Sequence, residues 1–76
     1  MSPGHALIVP KRHVREWFDI NQDEQTAIVN AISQVRQEIE NRYSPVAYNI
    51  GVNSGNAAGQ TIAHLHVHVI PRYDGD

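Results

Sequence analysis

The C-terminal part of the chain alternates strictly between histidine and aliphatic residues. In the segment AHLHVHVI, residues 63–70, the histidines are His64, His66 and His68. Side chains of a strand alternate between the two faces of a sheet, so the pattern predicts a strand over residues 63–70 that ends at Pro71. Burial of each aliphatic side chain is worth about 1.5–3 kcal/mol. We therefore expect the aliphatic face to pack in the core and the three imidazoles to share the opposite, open face.

A second pattern, with a period of three to four residues, predicts one long helix. Asn21 and Glu24 have the spacing of a capping box at its start. Pro45 cannot continue a helix, and the pattern fades near Arg42. One apolar stripe is formed by Ile28, Ile32, Val35 and Ile39.

Two shorter segments complete the expected sheet. Residues 5–10 (HALIVP) are mostly apolar and are closed by Pro10, which indicates a short strand. Residues 46–53 (VAYNIGVN) place larger apolar side chains at alternate positions, so we expect a half-buried strand. The last two strands are close enough along the chain to pair antiparallel. These elements predict an α+β fold in which one long helix packs on a small antiparallel sheet of about three strands.

The length of the chain bounds this architecture. The 76 residues predict a single domain over residues 1–76, which is marginally stable on its own. The chain contains no cysteine, so disulfides, thiolate metal sites and thiol catalysis are excluded. Three strands and one helix are few for a stable monomer. We expect a homodimer, or further strands supplied by sequence outside this segment.

Charge and hydropathy exclude several classes of partner. The formal net charge is −2 and the 6 Lys and Arg residues are scattered, unlike the basic stripe of a nucleic-acid binder. No apolar run approaches the ~20 residues of a membrane span. The N-terminus also lacks the pattern of a secretory signal. We therefore expect a cytoplasmic protein that binds neither nucleic acid nor membrane.

The three aligned histidines allow three interpretations. They could form a polar strand face without a function. Two histidines at alternate strand positions could bind zinc, but residues 63–70 contain no Asp or Glu as a further ligand. A neutral imidazole is also a good nucleophile that titrates near neutral pH. This third property favours covalent catalysis, and we expect no metal.

The segment before the histidines favours an anion as the ligand. Gly55 and Gly59 bracket a short loop, and Gln60 and Thr61 follow it directly. Glycines let backbone N–H groups approach an anion, and the two side chains add hydrogen-bond donors. The alternative is a plain hairpin turn. Asn53 would lie at the rim of the site if its face of the strand is the histidine face, which depends on a register that the sequence leaves open.

Four segments of the chain follow patterns that occur together in one known family. Residues 64–70 are HLHVHVI, residues 3–13 are PGHALIVPKRH, residues 49–53 are NIGVN, and residues 58–61 are AGQT. The first resembles the signature His-Φ-His-Φ-His-Φ-Φ, where Φ is apolar, of the histidine-triad (HIT) superfamily of nucleotide hydrolases and transferases. The tail IPRY, residues 70–73, is more similar to the branch with the fragile-histidine-triad dinucleoside polyphosphate hydrolases than to the phosphoramidase branch.

The resemblance implies a mechanism and a set of site residues. His66 would attack the α-phosphorus of a nucleotide, and water or another acceptor would cleave the resulting nucleotidyl-histidine. The carbonyl of His64 would orient His66, and His68 would contact the phosphate and the leaving group. His5 is either a catalytic residue or a structural one. Phosphate and nucleotide contacts are implied for Gln60, Thr61, Asn53, His13 and Gly59. No cofactor is implied, apart from a divalent cation that would accompany a polyphosphate substrate.

The sequence departs from the family pattern at the N-terminus. Family domains begin with a further hairpin that helps form the base and ribose pocket, whereas this sequence starts at the equivalent of the third strand. We therefore expect an N-terminally shortened domain that dimerises, as the family does, through the long helix and the neighbouring strand. The expected function is hydrolysis or nucleotidyl transfer on dinucleoside polyphosphates. The alternatives are a nucleoside phosphoramidase and a non-catalytic nucleotide- or zinc-binding module.

Overall fold

A computed structural model describes residues 2–76, in which one long helix packs on a sheet of three short strands. The regular elements are strand β1 (Ala6–Ile8), helix α1 (Gln22–Arg42), strand β2 (Ala47–Gly51) and strand β3 (Val67–Arg72). Short 3-10 turns lie at Trp17–Asp19 and Asn56–Ala58. The arrangement confirms the expected α+β fold with a small sheet and one long helix.

Strand β3 lies at the centre of the sheet. It pairs antiparallel with β1 on one side and with β2 on the other. The expected antiparallel pairing of the last two strands is therefore confirmed. Leu7 of β1 and Gly51 of β2 both lie opposite His68, so both outer strands contribute to the surroundings of the histidines.

The bounds predicted for the last strand were wrong at both ends. The ladder covers Val67–Arg72 and includes Pro71, which had been expected to end it. Pairing with β1 ends at Val69, so Pro71 has a partner strand on one side only. Proline is tolerated in such an edge-like position because fewer ladder bonds need an N–H there.

The first two histidines of the triad precede the ladder. The backbone of this segment is held by the loop that follows β1, because the Leu65 N–H donates to the Val14 carbonyl oxygen at 2.9 Å. The Leu65 side chain is fully buried. Strand-like alternation thus extends upstream of β3 although the sheet bonds do not.

Helix α1 begins at the capping box that the sequence predicted. The Asn21 side chain accepts from the Glu24 N–H at 2.9 Å, and the Glu24 carboxylate accepts from the Asn21 N–H at 3.0 Å. Arg12 donates to both oxygens of the same carboxylate, at 2.8 and 3.2 Å. These bonds, first that from Arg12 and then that from the Asn21 backbone, lower the pKa of Glu24.

The core lies between α1 and two of the strands. The helix packs against β1 and β3, and Ile28 and Ile39 of its apolar stripe are buried. The remaining stripe residues are partly buried against the same core. The other buried core residues are Ile8, Val14, Ile20, Leu65, Val67 and Val69.

Residues 46–53, which include strand β2, depart from the half-buried pattern that their alternation predicted. The side chains of Val46 and Ile50 are 64% and 54% exposed. The helix lies over β1 and β3 and reaches β2 mainly at Tyr48, whose hydroxyl donates to Glu40 at 2.9 Å. The prediction was wrong at Val46 and Ile50 because their apolar face extends past the helix.

Within residues 2–76, no helix combines the length and the apolar character needed to cross a membrane.

Candidate functional site

The three imidazoles lie on the face of the chain opposite the core. Leu65, Val67 and Val69 are buried, whereas the histidines between them are only partly buried. This alternation confirms the orientation that the sequence predicted. One face of this strand-like segment therefore packs in the core, and the opposite face carries the three imidazoles.

One contact determines which ring nitrogen of the central imidazole carries a proton. The Nδ1 atom of His66 lies 2.8 Å from the carbonyl oxygen of His64. A carbonyl oxygen only accepts, so Nδ1 carries the proton in this contact. Nε2 of a neutral His66 is then the nitrogen with a free lone pair, as a nucleophile requires.

The third imidazole of the triad lies between two others. The ring of His68 meets that of His66 edge to face, with centroids 5.0 Å apart. On its other side, Nδ1 of His68 lies 3.2 Å from Nε2 of His5. Desolvation by burial, and then the neighbouring imidazoles of His66 and His5, lower the pKa of His68. The structure thus brings His5, whose role the sequence left open, into contact with the triad.

The first imidazole of the triad packs against the fifth histidine of the chain. The rings of His13 and His64 have centroids 4.4 Å apart. Nε2 of His64 is buried and has no hydrogen-bond partner within the described residues 2–76. His13 therefore packs beside the first imidazole of the triad, with the two ring planes inclined by 56°.

Gln60 has a different place from the one expected. Its side chain is buried, and Nε2 donates to the carbonyl oxygens of Arg15 and Ile62 at 2.6 and 2.9 Å. Oε1 accepts from the Gly55 N–H at 2.8 Å. Because both amide hydrogens are used, the expected donation from Gln60 to a phosphate does not fit these bonds. The side chain instead ties the loop of residues 55–62 to the segment around Arg15.

The loop geometry explains the need for glycine at its end. Gly59 has φ +95°, and a Cβ atom there would lie 3.4 Å from the Asn53 side-chain nitrogen. The left-handed backbone therefore favours glycine, and the Asn53 amide lies in van der Waals range of this turn. Thr61 is exposed just beyond this turn.

Strand β2 presents its small and amide side chains on the histidine face. Gly51 lies opposite His68 and Asn49 lies opposite Ile70, which settles the register that the sequence left open. A groove of about 350 Å³ follows this face. Its walls are formed by His5, Asn49, Ile50, Gly51, Asn53, His68 and Ile70. The sequence already indicated this position for Asn49, because Asn49, Gly51 and Asn53 stand at alternate positions and so share one face of the strand.

The groove carries imidazole and amide groups, and no carboxylate is among its lining residues. The side chains of Asn49 and Asn53 line it together with the imidazoles of His5 and His68. No group of three or more His, Cys, Asp or Glu side chains within residues 2–76 is placed to hold a metal ion. His68 lines the groove, and the ring of His66, whose Nε2 can act as a nucleophile, lies next to that of His68.

Comparison with known proteins gives a consistent result. A family model described as HIT domain matches residues 1–75. The chain is 43% identical over 74 residues to the asymmetrical bis(5'-nucleosyl)-tetraphosphatase of Schizosaccharomyces pombe, covering 97% of this chain and 41% of that protein. It is 40% identical over 76 residues to the AP-4-A phosphorylase of Mycobacterium tuberculosis, covering 99% of this chain and 39% of that protein.

The fold is also similar to solved structures. The crystal structure of a HIT family protein from Bacillus anthracis superposes with a TM-score of 0.91 at 34% identity. The alignment covers 97% of this chain and 52% of that one. The chain therefore spans about half, or less, of the length of the proteins that it matches.

Proposed function

This chain belongs to the HIT domain family, and from that premise we propose that it cleaves dinucleoside polyphosphates at an α-phosphate through a nucleotidyl intermediate on His66. The observation that carries the proposal is the 2.8 Å contact between His66 Nδ1 and the His64 carbonyl oxygen. It holds the ring and leaves Nε2 as the unprotonated nitrogen.

The proposed reaction has two displacements at phosphorus. In the first, the lone pair on His66 Nε2 forms a bond to the α-phosphorus, and the bond from phosphorus to the bridging oxygen breaks. The leaving nucleotide takes the bonding electrons. In the second, an acceptor oxygen attacks the same phosphorus, the P–N bond breaks and its electrons return to Nε2. Splitting one difficult displacement into two easier ones is the usual advantage of nucleophilic catalysis.

The curated relatives support this substrate class. Their names, bis(5'-nucleosyl)-tetraphosphatase and AP-4-A phosphorylase, indicate dinucleoside tetraphosphates as substrates. The second name also indicates inorganic phosphate as an acceptor. For this chain we propose water as the acceptor, and adding phosphate to the assay tests the other possibility directly.

The phosphate contacts follow from the placement of the loop. We propose that Asn53 and Thr61 donate to non-bridging oxygens, and that Gly59 keeps the turn close to Asn53. Gln60 acts indirectly, by holding the loop in place through its backbone partners. His13 supports His64 through ring packing. A divalent cation would arrive with the polyphosphate, as part of the substrate.

We also propose that the chain forms a homodimer in the cytoplasm. Val46, which directly precedes β2, and Ile50 of β2 are exposed, and β2 is an outer strand of the sheet. Exposed apolar side chains next to a free strand edge favour pairing with another strand. A second copy would bury them and would add the strands that a chain of this size lacks.

The proposal is tested by trapping the intermediate. The chain is mixed with a dinucleoside tetraphosphate that carries radiolabel at the α-phosphorus, quenched in alkali and digested. Peptide mass spectrometry then locates the nucleotidyl group. We expect an acid-labile adduct on His66 in the wild type and none in His66→Ala. An adduct on another histidine contradicts the proposal.

A substrate comparison separates the alternatives. The wild type and His66→Ala are incubated with a fluorogenic dinucleoside polyphosphate and with a nucleoside phosphoramidate. Faster turnover of the first supports the hydrolase, and faster turnover of the second indicates a phosphoramidase. Tight nucleotide or zinc binding without turnover of either substrate indicates a binding module.

A further inference from the structure

A partly buried arginine follows the histidines on the same face of the central strand. Strand β3 places His68, Ile70 and Arg72 at alternate positions, and all three are partly buried, so their side chains share one face. Four residues separate His68 from Arg72, which puts their Cα atoms about 13 Å apart in a strand. A guanidinium group therefore lies on the histidine face beyond Ile70, where the groove ends.

The partners of this guanidinium group are neutral. Nε of Arg72 donates to Oδ1 of Asn49 at 2.7 Å, and Nη1 donates to the hydroxyl oxygen of Ser2 at 3.5 Å. The ion pairs within residues 2–76 involve other arginines, both in contact with helix α1. The positive charge of Arg72 is therefore not neutralised by a carboxylate of the described residues, and it can attract an anion to this end of the groove.

The contact with Asn49 directs both side chains towards the groove. Asn49 lines the groove and lies opposite Ile70 on the neighbouring strand. A guanidinium group has donors only, so Oδ1 of Asn49 faces Arg72 and the two hydrogens on Nδ2 point away from it. The same bond draws the guanidinium group back along the strand, from the level of Arg72 towards that of Ile70. The charge thus lies closer to His68 than the Cα positions alone indicate.

From this arrangement we propose that Arg72 and Asn49 bind the phosphates of the departing nucleotide, and that this subsite selects substrates with a long polyphosphate chain. The inference rests on the proposed function and deepens it, because it assigns the part of the substrate beyond the bond that breaks. Arg72 binds the chain through its charge and its planar pair of donors, a geometry that matches two phosphate oxygens. Asn49 adds a neutral donor and holds the guanidinium group in place.

The direction of the proposed attack leads the departing group towards this subsite. In phosphoryl transfer the attacking and leaving atoms lie roughly in line through phosphorus, so the leaving oxygen stands on the side away from His66 Nε2. Along the strand-like segment, His66 precedes His68 and Arg72 follows it. The phosphates attached to the leaving oxygen therefore extend past His68 towards Arg72. A longer chain reaches further along this path.

The kinetic test compares substrates whose leaving groups carry different numbers of phosphates. Arg72→Gln removes the charge and keeps a side-chain amide. We expect its kcat/KM to fall about 10- to 100-fold on a dinucleoside tetraphosphate, through loss of a charged hydrogen bond, and less than about threefold on a nucleoside p-nitrophenyl phosphate. The second substrate has no phosphate in its leaving group. Equal losses on both substrates, or wild-type values on both, overturn the proposal.

Two further variants separate the subsite from net charge and from folding. Arg42→Gln changes the net charge equally but lies in the last turn of α1, on the opposite side of the sheet, and should retain the wild-type ratio of the two kcat/KM values. Asn49→Asp keeps the shape of the side chain and pairs with Arg72, so it neutralises the charge without removing the contact. We expect this variant to lose the preference for the tetraphosphate. A wild-type preference in Asn49→Asp, or its loss in Arg42→Gln, contradicts the subsite.

A binding measurement tests the subsite without turnover. Inorganic tripolyphosphate carries the phosphates of the proposed leaving group without a nucleoside, and calorimetry measures its affinity for each protein. We expect binding to Arg72→Gln to be about tenfold or more weaker than to the wild type and to Arg42→Gln. Equal affinities of the three proteins overturn the subsite. Binding that depends on Arg72 in a chain that cleaves neither substrate supports the subsite and contradicts the proposed hydrolase, so the two proposals fail separately.

Discussion

His66 is held by the backbone of His64 and not by a side chain: its Nδ1 lies 2.8 Å from the His64 carbonyl oxygen. The acceptor is therefore present whatever residue occupies position 64. The tautomer of the central imidazole depends on the local path of the chain, which the burial of Leu65 helps to fix.

The first prediction follows from this independence. His64→Ala should leave the proton of His66 on Nδ1, because the substitution keeps the carbonyl acceptor while it removes the ring that packs on His13. Long-range proton–nitrogen NMR spectra of the wild type and the variant report the tautomer. A mixture of tautomers at His66 in the variant would mean that the side chain of His64 contributes to the orientation.

The second prediction concerns the loop tie at Gln60. Gln60→Ala leaves two carbonyl oxygens and one N–H without their partner, which should cost about 1–3 kcal/mol of the free energy of unfolding. Urea denaturation measures the change. Gln37, exposed on α1, provides the matched control, and Gln37→Ala should change the stability by less than about 0.5 kcal/mol. Equal effects of the two variants would contradict a special role for Gln60.

The third prediction concerns the start of α1. Asn21→Ala removes the acceptor of the Glu24 N–H and should cost about 1 kcal/mol. The same change at Asn30, an exposed position within the helix, should have the opposite sign, because alanine has the higher helix propensity by up to about 0.7 kcal/mol. Thermal unfolding followed by circular dichroism distinguishes the two variants. Destabilisation by both would contradict the cap assignment.

The fourth prediction concerns pH. Desolvation and the neighbouring imidazoles lower the pKa of His68 in the folded chain. Below the unfolded pKa of about 6.5, the unfolded chain therefore binds the proton more readily, and stability falls as pH decreases through this value. We expect the free energy of unfolding to decrease between pH 7.5 and 5.5, and to decrease less in His68→Gln. An equal decrease in both proteins would mean that a group other than His68 causes the pH dependence of stability.

The fifth prediction tests the proposed dimer. Ile50 is 54% exposed on β2, and Ile50→Lys would place a charge in an interface formed there. We expect the wild type to sediment as a dimer and the variant as a monomer at the same concentration. Val29 is 58% exposed on α1, and Val29→Lys shows whether the helix shares that interface. A monomeric wild type contradicts the dimer.

Local patterns made the helix and the orientation of the triad predictable. The capping box is complete within four residues, from Asn21 to Glu24. The alternation of histidine with Leu65, Val67 and Val69 decides the buried face. Burying the three aliphatic side chains is more favourable in free energy than burying the three imidazoles. Neither inference needs information about distant parts of the chain.

Features that depend on distant partners could not be predicted. Gln60 resembles a phosphate donor in the sequence, but its partners include Arg15, far away along the chain. The exposure of Val46 and Ile50 depends on how far α1 reaches across the sheet. Pro71 remains in β3 because of where β1 ends, and no local pattern specifies that end.

The central position of β3 links folding to the proposed activity. Its segment supplies Leu65, Val67 and Val69 to the core and the triad to the opposite face, and a register slip of one residue would exchange the two sets. A misaligned chain would then bury imidazoles and expose aliphatic groups, so it would not accumulate as a stable but inactive species. During partial denaturation, the proposed turnover should consequently decline in step with the native population.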